Sequence, residues 1–397
     1  MLSEMTPLAI NASSLVNAIG CGKQEVITSL SNSSTGLRDI SYPGLDFRTW
    51  LGKIDAIDAV ELEGALRHFN CRNNKLAKLA LDTDDFREHV NVAIGKYGRG
   101  RIGVFVGTST SGKAETESAY MQRDKDSGRL PPAFDMMHTH NIASAQDYVQ
   151  HSLGLDGPGL TISTACSSSA KVFSAAHRYI SAGICDAAIV GGIDSLCLTT
   201  LYGFNSLQLV SSELCKPWDI CRNGINIGEA AGFALLEKSS ELTEEVKLKG
   251  FGESSDAHHM STPHPEGDGA KAAMCAALER AGLAAEDIDY INLHGTATPS
   301  NDAAEARAIA RIFPGGVLCS STKGFTGHTL GAAGITEAIM CGLMLEHGVL
   351  PANINLKNQD PDLPVPVLIS SVRRSVSNVM SNSFGFGGTN CSLVFGW

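Results

Sequence analysis

Short apolar runs alternate along the chain with longer segments of helical periodicity, and this alternation constrains the fold more than any other feature. Apolar runs of four or five residues are typical of buried strands, and apolar residues at helical spacing are typical of amphipathic helices. The alternation predicts an α/β fold. The predicted strands are 102–106, 160–163, 187–190, 232–236, 290–293, 317–320, 367–370 and 392–395. The predicted helices are 24–30, 74–80, 167–182, 269–281, 303–312 and 333–346.

Two distant segments resemble each other. Residues 106–110 read Val-Gly-Thr-Ser-Thr and residues 294–298 read His-Gly-Thr-Ala-Thr; each follows a predicted strand and leads into a segment containing Ala-Glu. The echo suggests two similar halves that join within residues 240–250. We therefore expect an N-terminal unit over residues 1–248 and a C-terminal unit over residues 249–397.

The composition excludes several classes of protein. The 397 residues include 31 Lys and Arg against 42 Asp and Glu, a formal net charge of −11, whereas a general nucleic-acid binder would carry a basic surplus. With 43% hydrophobic residues the chain can bury a large core. We see no apolar run of the ~18 residues that a membrane span needs and no secretory leader. Eleven cysteines without paired spacing predict a reduced, soluble, cytoplasmic protein.

Residues 164–170, Thr-Ala-Cys-Ser-Ser-Ser-Ala, join a predicted strand to a predicted helix. Serines are good helix N-caps, so Cys166 is expected at the positive end of a helix dipole. That position lowers the pKa of a thiol and favours the thiolate. A buried structural cysteine is the alternative, but the junction makes Cys166 a candidate nucleophile.

Two histidines occupy turns rich in Gly and Thr. His294 begins the segment His-Gly-Thr-Ala-Thr, and His328 lies within Lys-Gly-Phe-Thr-Gly-His-Thr-Leu-Gly-Ala-Ala-Gly at residues 323–334. A lone histidine is more often structural. Two of them together with a candidate nucleophilic cysteine suit acyl chemistry, in which a thiolate attacks and imidazoles donate hydrogen bonds to an oxyanion.

Two further segments are rich in glycine. Residues 382–390, Asn-Ser-Phe-Gly-Phe-Gly-Gly-Thr-Asn, suit a loop that donates backbone N–H groups or gates a channel, with a tight hairpin as the alternative. Residues 107–114, Gly-Thr-Ser-Thr-Ser-Gly-Lys-Ala, nearly match a phosphate-binding P-loop. However, Ala114 replaces the hydroxyl that would bind Mg²⁺, so we do not expect a nucleotide hydrolase.

Together these motifs resemble those of the β-ketoacyl-[acyl-carrier-protein] synthases, the discrete (type II) condensing enzymes of fatty-acid and polyketide pathways. The cysteine motif, the two histidine motifs and the Phe–Gly loop occur in the family's order. The resemblance is strong from about residue 100 onward and weaker before it. It implies a thiolase-like, five-layered αβαβα fold built from two similar halves, with the nucleophilic cysteine in the first and the two catalytic histidines in the second.

The resemblance also implies a two-stage reaction. Cys166 would take an acyl chain from an acyl carrier protein as a thioester. His294 and His328 would then hydrogen-bond the carbonyl of malonyl-carrier protein as CO₂ leaves, and the resulting carbanion would attack the acyl-enzyme. The backbone N–H groups of Cys166 and Phe386 would form the oxyanion hole, and Phe384 and Phe386 would lie in a gating loop.

Several other roles follow from the resemblance alone. Lys323 and Glu337 would support the histidine network. Thr296 and Thr298 would also support the site. The positions resembling those near a structural cation in some members are Asn292, Glu337, Ser381 and Asn382. Neither a catalytic metal nor an organic cofactor is expected.

An acidic enzyme of this kind must bind a carrier protein that is itself acidic in the family, which requires a local basic patch. We expect Arg67 and Arg72 to belong to this docking patch, with an ordinary solvated helix face as the alternative. The wider set of candidates is Lys75, Lys78, Lys96, Arg99 and Arg101. The family pattern further implies a homodimer, or a heterodimer with a related ketosynthase-like subunit.

The sequence departs from the family pattern at Asn223, Ala230 and Ala297 and over residues 35–100 and 115–145. These departures leave the acyl chain length open and favour a specialised pathway, such as polyene or polyketide assembly, over housekeeping fatty-acid elongation. Two other functions stay open. One is a non-catalytic partner subunit resembling a chain-length factor, and the other is a thioesterase or acyltransferase that uses the same cysteine.

Overall fold

Fifteen strands and eleven α-helices occur in the residues that the computed structural model describes, 4–239 and 245–397. The strands are β1 (Leu8–Asn17), β2 (Gly20–Cys21), β3 (Leu51–Gly52), β4 (Ile102–Gly107), β5 (Gly159–Ile162), β6 (Ala187–Asp194), β7 (Ile227–Gly228), β8 (Ala230–Lys238), β9 (Lys247–Ser255), β10 (Tyr290–Asn292), β11 (Leu318–Ser320), β12 (Val349–Leu350), β13 (Val372–Arg373), β14 (Asn378–Gly385) and β15 (Thr389–Gly396). The helices are α1 (Lys23–Ser31), α2 (Arg72–Leu81), α3 (Phe86–Tyr97), α4 (Lys113–Met121), α5 (Ser144–Leu153), α6 (Ser168–Ser181), α7 (Leu198–Ser206), α8 (Asp268–Ala281), α9 (Pro299–Ile312), α10 (Lys323–Thr326) and α11 (Ala333–His347).

Eleven of the described strands form one sheet, which divides into two halves of the same pattern. The order is β11-β10-β14-β15-β9-β1-β8-β6-β4-β5, with β2 paired to β1. In the first half β5, β4 and β6 run parallel and β8 and β1 follow antiparallel. In the second half β11, β10 and β14 run parallel and β15 and β9 follow antiparallel. The two similar segments, residues 106–110 and 294–298, lie at the ends of β4 and β10. Each of these strands is the middle one of the three parallel strands in its half of the sheet, so the repeat in the sequence is also a repeat in the fold.

Helices α6 and α11 lie between the two halves of the sheet, and each packs on strands of both. Of the 14 residues of α6, nine are buried, and of the 15 residues of α11, twelve are buried. Helices α2, α3 and α5 cover the outer face of the first half, while α8, with α9 packed on it, covers that of the second. The predicted five-layered αβαβα fold is confirmed. Among the described helices, none is long and apolar enough to cross a membrane.

The junction of the two halves lies close to a central strand. The boundary expected between residues 248 and 249 falls inside β9, which pairs with both β15 and β1. Of the expected joining segment, residues 240–244 lie outside the described residues.

The predicted strand at 367–370 is wrong. These residues form a loop in which the Leu368 N–H donates to the carbonyl of Cys319 and the Leu368 carbonyl accepts from Asn353. The apolar side chains of Val365 and Val367 are buried, which accounts for the strand-like pattern. Three nearby prolines, at 361, 364 and 366, oppose a continuous ladder because proline has no N–H to donate.

Gly252 in β9 lies against α8 with no room for a side chain. A Cβ there would lie 1.8 Å from the carbonyl oxygen of Ala273, whereas a Cβ at Gly342 in α11 would meet nothing within 4 Å. We expect Gly252→Ala to lower the free energy of unfolding by about 1–3 kcal/mol or more through overpacking. The control Gly342→Ala should raise it by about 0.5–1 kcal/mol through helix propensity. Urea denaturation measures both, and equal stabilities would contradict the packing described.

Candidate active site

Cys166 lies at the strand-to-helix junction where the sequence predicted it, two residues before the start of α6. The preceding residue, Ala165, has a φ of +52°, a left-handed conformation that marks a strained turn when it occurs in alanine. The Ser168 hydroxyl holds this turn, since it accepts from the Thr164 N–H at 2.9 Å and donates to the Ala165 carbonyl at 2.6 Å. The turn presents the thiol of Cys166, a residue that is 4% exposed, to a pocket that it lines.

Two turns from the second half bring the histidines to this thiol. The Nε2 atom of His328 lies 3.0 Å from Sγ of Cys166. The rings of His294 and His328 are 5.4 Å apart between centroids and nearly perpendicular. One ligand atom from each of the three side chains lies within 4.8 Å of the others. Three motifs that are far apart in the sequence therefore meet at one point.

Hydrogen bonds at Nδ1 determine which ring nitrogen carries the proton. The Leu330 N–H donates to Nδ1 of His328 at 3.1 Å, and the Lys323 ammonium lies 3.5 Å from Nδ1 of His294. A neutral imidazole that accepts at Nδ1 carries its proton on Nε2. Burial and the positive charge of Lys323 lower the pKa of both histidines well below the usual value. Both rings are therefore neutral Nε2–H donors at neutral pH.

Lys323 is held in place by Glu337. The Nζ atom lies 2.6 Å from Oε1 of Glu337, and the two side chains are 2% and 3% exposed. Burial raises the pKa of the Glu337 carboxyl, and the adjacent lysine offsets part of that rise. The pairing matters because an unpartnered buried charge is strongly destabilising.

The expectation that the helix start lowers the pKa of Cys166 is wrong for the free protein. Burial of the thiol raises its pKa to about 11, and this outweighs the opposing effects of the Lys323 charge and of a hydrogen bond from the Phe386 N–H. Desolvation disfavours the charged form of any acid, so a fully buried thiol keeps its proton. The resting group is a thiol that shares a hydrogen bond with His328.

The Phe–Gly loop borders the thiol. The backbone N–H of Phe386 is near enough to Sγ of Cys166 to lower the pKa of that thiol. The ring of Phe386 lies 5.4 Å from that of Phe204, and the ring of Phe384 lies 5.8 Å from that of His294, between centroids. Phe386 thus supplies both a backbone N–H donor and a bulky side chain next to the thiol.

A pocket leads from the surface to these groups. Thr296 and Thr298 line it, and their hydroxyl oxygens are 2.9 Å apart. The other lining residues include Phe204, Leu209, Ile225, Asp256, His259, Ser261, Thr262, Pro263 and Asn301. A pocket that leads to a thiol and two imidazole donors suits the transfer of an acyl group.

Known family patterns match most of the chain. The pattern of the beta-ketoacyl synthase N-terminal domain matches residues 85–241, and that of the C-terminal domain matches residues 246–357. The chain belongs to the β-ketoacyl synthase family. The resemblance drawn from the four motifs is confirmed.

Relatives are similar over most of their length. The mitochondrial 3-oxoacyl-[acyl-carrier-protein] synthase of Arabidopsis thaliana is 39% identical over 316 residues, which cover 74% of this chain and 68% of that protein. The 3-oxoacyl-[acyl-carrier-protein] synthase 2 of Staphylococcus aureus is 32% identical over 402 residues, which cover 91% and 99%. The chain is accordingly a condensing enzyme of the acyltransferase class, as its motifs predicted.

Solved ketosynthase structures share the fold over the whole chain. A chain of the complex between the ketosynthase ApeO and its chain length factor ApeC, from Xenorhabdus doucetiae, is 38% identical and has a TM-score of 0.90, with 100% of both chains covered. The ishigamide ketosynthase/chain length factor is 25% identical and has a TM-score of 0.88, with 99% of both chains covered.

Two residues that order the site were not among the sequence-based candidates. Glu305 accepts the N–H groups of His294 and Gly295 at 2.8 and 2.9 Å and so holds the turn that carries the histidine; burial raises its pKa to about 7. Phe204 faces the ring of Phe386. Glu305 could have been identified from the sequence, because Asp302 and Glu305 lie three residues apart on the inner face of a helix. Acids are seldom buried without a partner, so such a pair indicates a structural or functional role. Nothing in the sequence marked Phe204.

Of the residues expected in the docking patch, Arg67 is exposed but Arg72 is not available. The Arg72 guanidinium lies 2.5 Å from buried Glu229 and 3.0 Å from Asp58, and its side chain is 17% exposed. Neighbouring candidates are also engaged, in the ion pairs Lys75–Glu61, Lys78–Asp82, Lys96–Glu237 and Arg101–Asp186. The basic run in the sequence is therefore largely neutralised, by Asp82 within it and by acids from other parts of the chain.

The residues expected near a structural cation fit one only in part. Asn292 and Ser381 are paired neighbours on β10 and β14. Within the described residues, Oδ1 of Asn292, Oγ of Ser381 and Oε2 of Glu337 are buried without a hydrogen-bond partner. Oxygen atoms are the ligands that a hard cation prefers. The side chain of Asn382, in contrast, is hydrogen-bonded to other residues through both its oxygen and its nitrogen.

The raised pKa of Cys166 leads to a testable pH dependence. Only the thiolate reacts with iodoacetamide, so a pKa of about 11 should make alkylation of Cys166 roughly tenfold faster for each pH unit between 7 and 9. Peptide-resolved mass spectrometry measures this rate, with exposed Cys275 as the internal reference. A rate that levels off below pH 9 would show that the thiolate forms more readily than burial allows.

Proposed function

We propose that this family member catalyses the decarboxylative Claisen condensation of an acyl group held on Cys166 with malonyl-acyl-carrier protein. The observation that carries the proposal is the convergence of one thiol and two neutral Nε2–H imidazoles at the base of a single pocket. That arrangement supplies a nucleophile and two donors, which are the groups the two stages of this reaction need.

In the first stage, Sγ of Cys166 attacks the thioester carbonyl of an acyl-carrier protein. A bond forms between sulfur and the acyl carbon, the carrier's carbon–sulfur bond breaks, and the thiol proton leaves with the released carrier thiol. The Phe386 N–H, which interacts with Sγ in the free protein, stabilises the oxyanion together with the N–H of Cys166. The side chains of Phe384 and Phe386 gate the approach.

In the second stage, malonyl-carrier protein enters the same pocket. Its thioester carbonyl accepts hydrogen bonds from His294 and His328 while CO₂ leaves and the bonding electrons form an enolate. The enolate carbon attacks the acyl-Cys166 carbonyl and the carbon–sulfur bond to Cys166 breaks. The thiolate that departs takes up a proton from solvent. Lys323 and Glu337 keep His294 in its donor tautomer, and Thr296 and Thr298 offer hydroxyls to the substrate in the pocket.

Partners follow from this chemistry. The acyl- and malonyl-loaded forms of an acyl carrier protein are the substrates. A homodimer or a heterodimer with a ketosynthase-like subunit is supported by an edge strand, β5, whose outer backbone groups have no neighbouring strand among the described residues. It is also supported by a group of exposed apolar side chains on α4 and on the turn Met136–His140, which packs on α4. These are Tyr120, Met121, Met136 and Met137.

The proposal also includes the type of pathway and the cellular location of the enzyme. Departures from the family pattern over residues 35–100 and 115–145 support a specialised pathway, and full-length similarity to a chain of a ketosynthase and chain length factor complex agrees with it; the similarity to 3-oxoacyl-[acyl-carrier-protein] synthases makes housekeeping elongation the alternative. Eleven free cysteines support a reducing, cytoplasmic location. A non-catalytic subunit resembling a chain-length factor is not favoured, because Cys166, His294 and His328 are assembled together.

Substitutions in the site separate the two stages. We expect Cys166→Ala to abolish acyl-enzyme formation, and His294→Ala and His328→Ala each to retain acylation but to slow condensation by roughly 10²–10³ through loss of a donor. Intact mass, CO₂ release and product analysis with a panel of acyl-carrier proteins measure these steps and the preferred chain length. Cys275→Ala, at an exposed cysteine, is the control. Condensation by Cys166→Ala at the wild-type rate would refute the mechanism, and release of free acid would identify a hydrolase.

The docking residue Arg67 can be tested separately. We expect Arg67→Glu to weaken binding of the acidic carrier protein roughly 2- to 10-fold at low salt, and less at high salt, because an exposed charge is screened. Arg72→Gln should instead destabilise the fold, because it leaves Glu229 buried without its partner. Affinity measured at two ionic strengths and thermal unfolding distinguish the two effects. Unchanged affinity of Arg67→Glu would remove Arg67 from the docking surface.

A further inference from the structure

The turn after β4, which resembles a phosphate-binding loop in sequence, encloses a carboxylate of the chain itself. Asp194, the last residue of β6, is fully buried. Its Oδ1 accepts the N–H groups of Ser109 and Thr110 at 2.8 and 2.9 Å and the Thr108 hydroxyl at 2.7 Å. Its Oδ2 accepts the Ser109 hydroxyl. All these partners are donors, so the turn binds an anion as backbone nests do, but the anion is internal.

The same carboxylate reaches across to the turn of the second half that carries His328. The Gly331 N–H donates to Oδ2 of Asp194 at 2.6 Å. The adjacent Leu330 donates its N–H to Nδ1 of His328, and Nε2 of His328 faces Cys166. A continuous series of contacts thus joins Asp194 to the reacting thiol.

This turn is strained and closely fitted. Leu330 has a φ of +54°, which costs on the order of 1–3 kcal/mol for a residue other than glycine and persists only where neighbours hold it. A Cβ added to Gly331 would lie 2.8 Å from both Oδ2 of Asp194 and the nitrogen of Ser109. The position of the turn is therefore set by direct contact with the carboxylate and the loop around it.

We propose that Asp194 is a positioning residue for His328. By binding the Gly331 N–H, it holds the Leu330 N–H against Nδ1 and so keeps the imidazole proton on Nε2, where it can be donated. Without that bond the strained turn relaxes, and the ring gains the tautomer that has no Nε2–H. The inference rests on the proposed donor role of His328, and it gives the P-loop-like sequence a function in this fold.

Two variants test the proposal. Asp194→Asn places an amide N–H₂ opposite groups that are themselves donors, and Gly331→Ala keeps the carboxylate but displaces the turn. We expect each to slow malonyl decarboxylation roughly 10- to 100-fold, as small misplacements of catalytic groups do, while acylation of Cys166 changes less than about threefold. Intact mass follows acylation, CO₂ release follows decarboxylation, and long-range ¹⁵N–¹H correlations of the histidine rings report the tautomer of His328 directly.

Asp219→Asn is the matched control. Asp219 is also a buried aspartate, and its carboxyl accepts backbone N–H groups of Cys221, Lys357 and Asn358. This variant should lose stability without a change in the ratio of decarboxylation to acylation. A wild-type ratio and an unchanged His328 tautomer in folded Asp194→Asn would overturn the inference, and Gly331→Ala decides it if Asp194→Asn does not fold. Wild-type protein that neither acylates nor decarboxylates would instead overturn the proposed function.

Discussion

The close packing of the first turn of α6 is the constraint on which the site depends. A Cβ at Gly107 or Gly192 would lie 2.4 Å from Ser169, and one at Gly334 would lie 2.3 Å from the nitrogen of Ala170. Three segments from both halves therefore press their backbones onto the helix directly after the nucleophile. This contact determines where the thiol lies. The turns of the second half that carry the histidines lie next to that thiol.

Burial of the site between the two halves determines its electrostatics. Removal from water lowers the pKa of both histidines and raises those of Cys166 and Glu337. A buried ammonium is tolerated because Glu337 pairs with it, and that ammonium in turn orders His294. The result is a set of neutral donors and a protonated nucleophile, which holds little net charge until substrate arrives. Asp194 is a further buried charge that is stabilised by its neighbours, since its carboxylate accepts hydrogen bonds from the surrounding N–H and hydroxyl groups. Through the turn at Gly331 it orients His328.

Helices and strands with a clear hydrophobic pattern could be predicted from the sequence. Strands that are stabilised mainly by pairing with distant strands could not. The helix predicted at 333–346 is α11, almost residue for residue, because its apolar composition and final glycine are local signals. Strands β1, β9 and β14 were missed, since each mixes Ser, Asn, Lys or Gly into its run and is defined by pairing with distant strands. The false strand at 367–370 shows the converse case, in which an apolar run packs on the core without joining a ladder.

The fold class, the family and the three groups that meet in the pocket could be predicted from the residue types, their order and their placement at strand ends. Motif spacing and periodicity are properties of the sequence itself, so they can be recognised without the folded structure. Other properties depended on which residues lie side by side after folding. They include the direction of the Cys166 pKa shift, the withdrawal of Arg72 into an ion pair with Glu229, and the link from Asp194 to the His328 turn. Desolvation and contacts between residues more than a hundred positions apart exist only in the folded chain, so these properties were decided by tertiary structure.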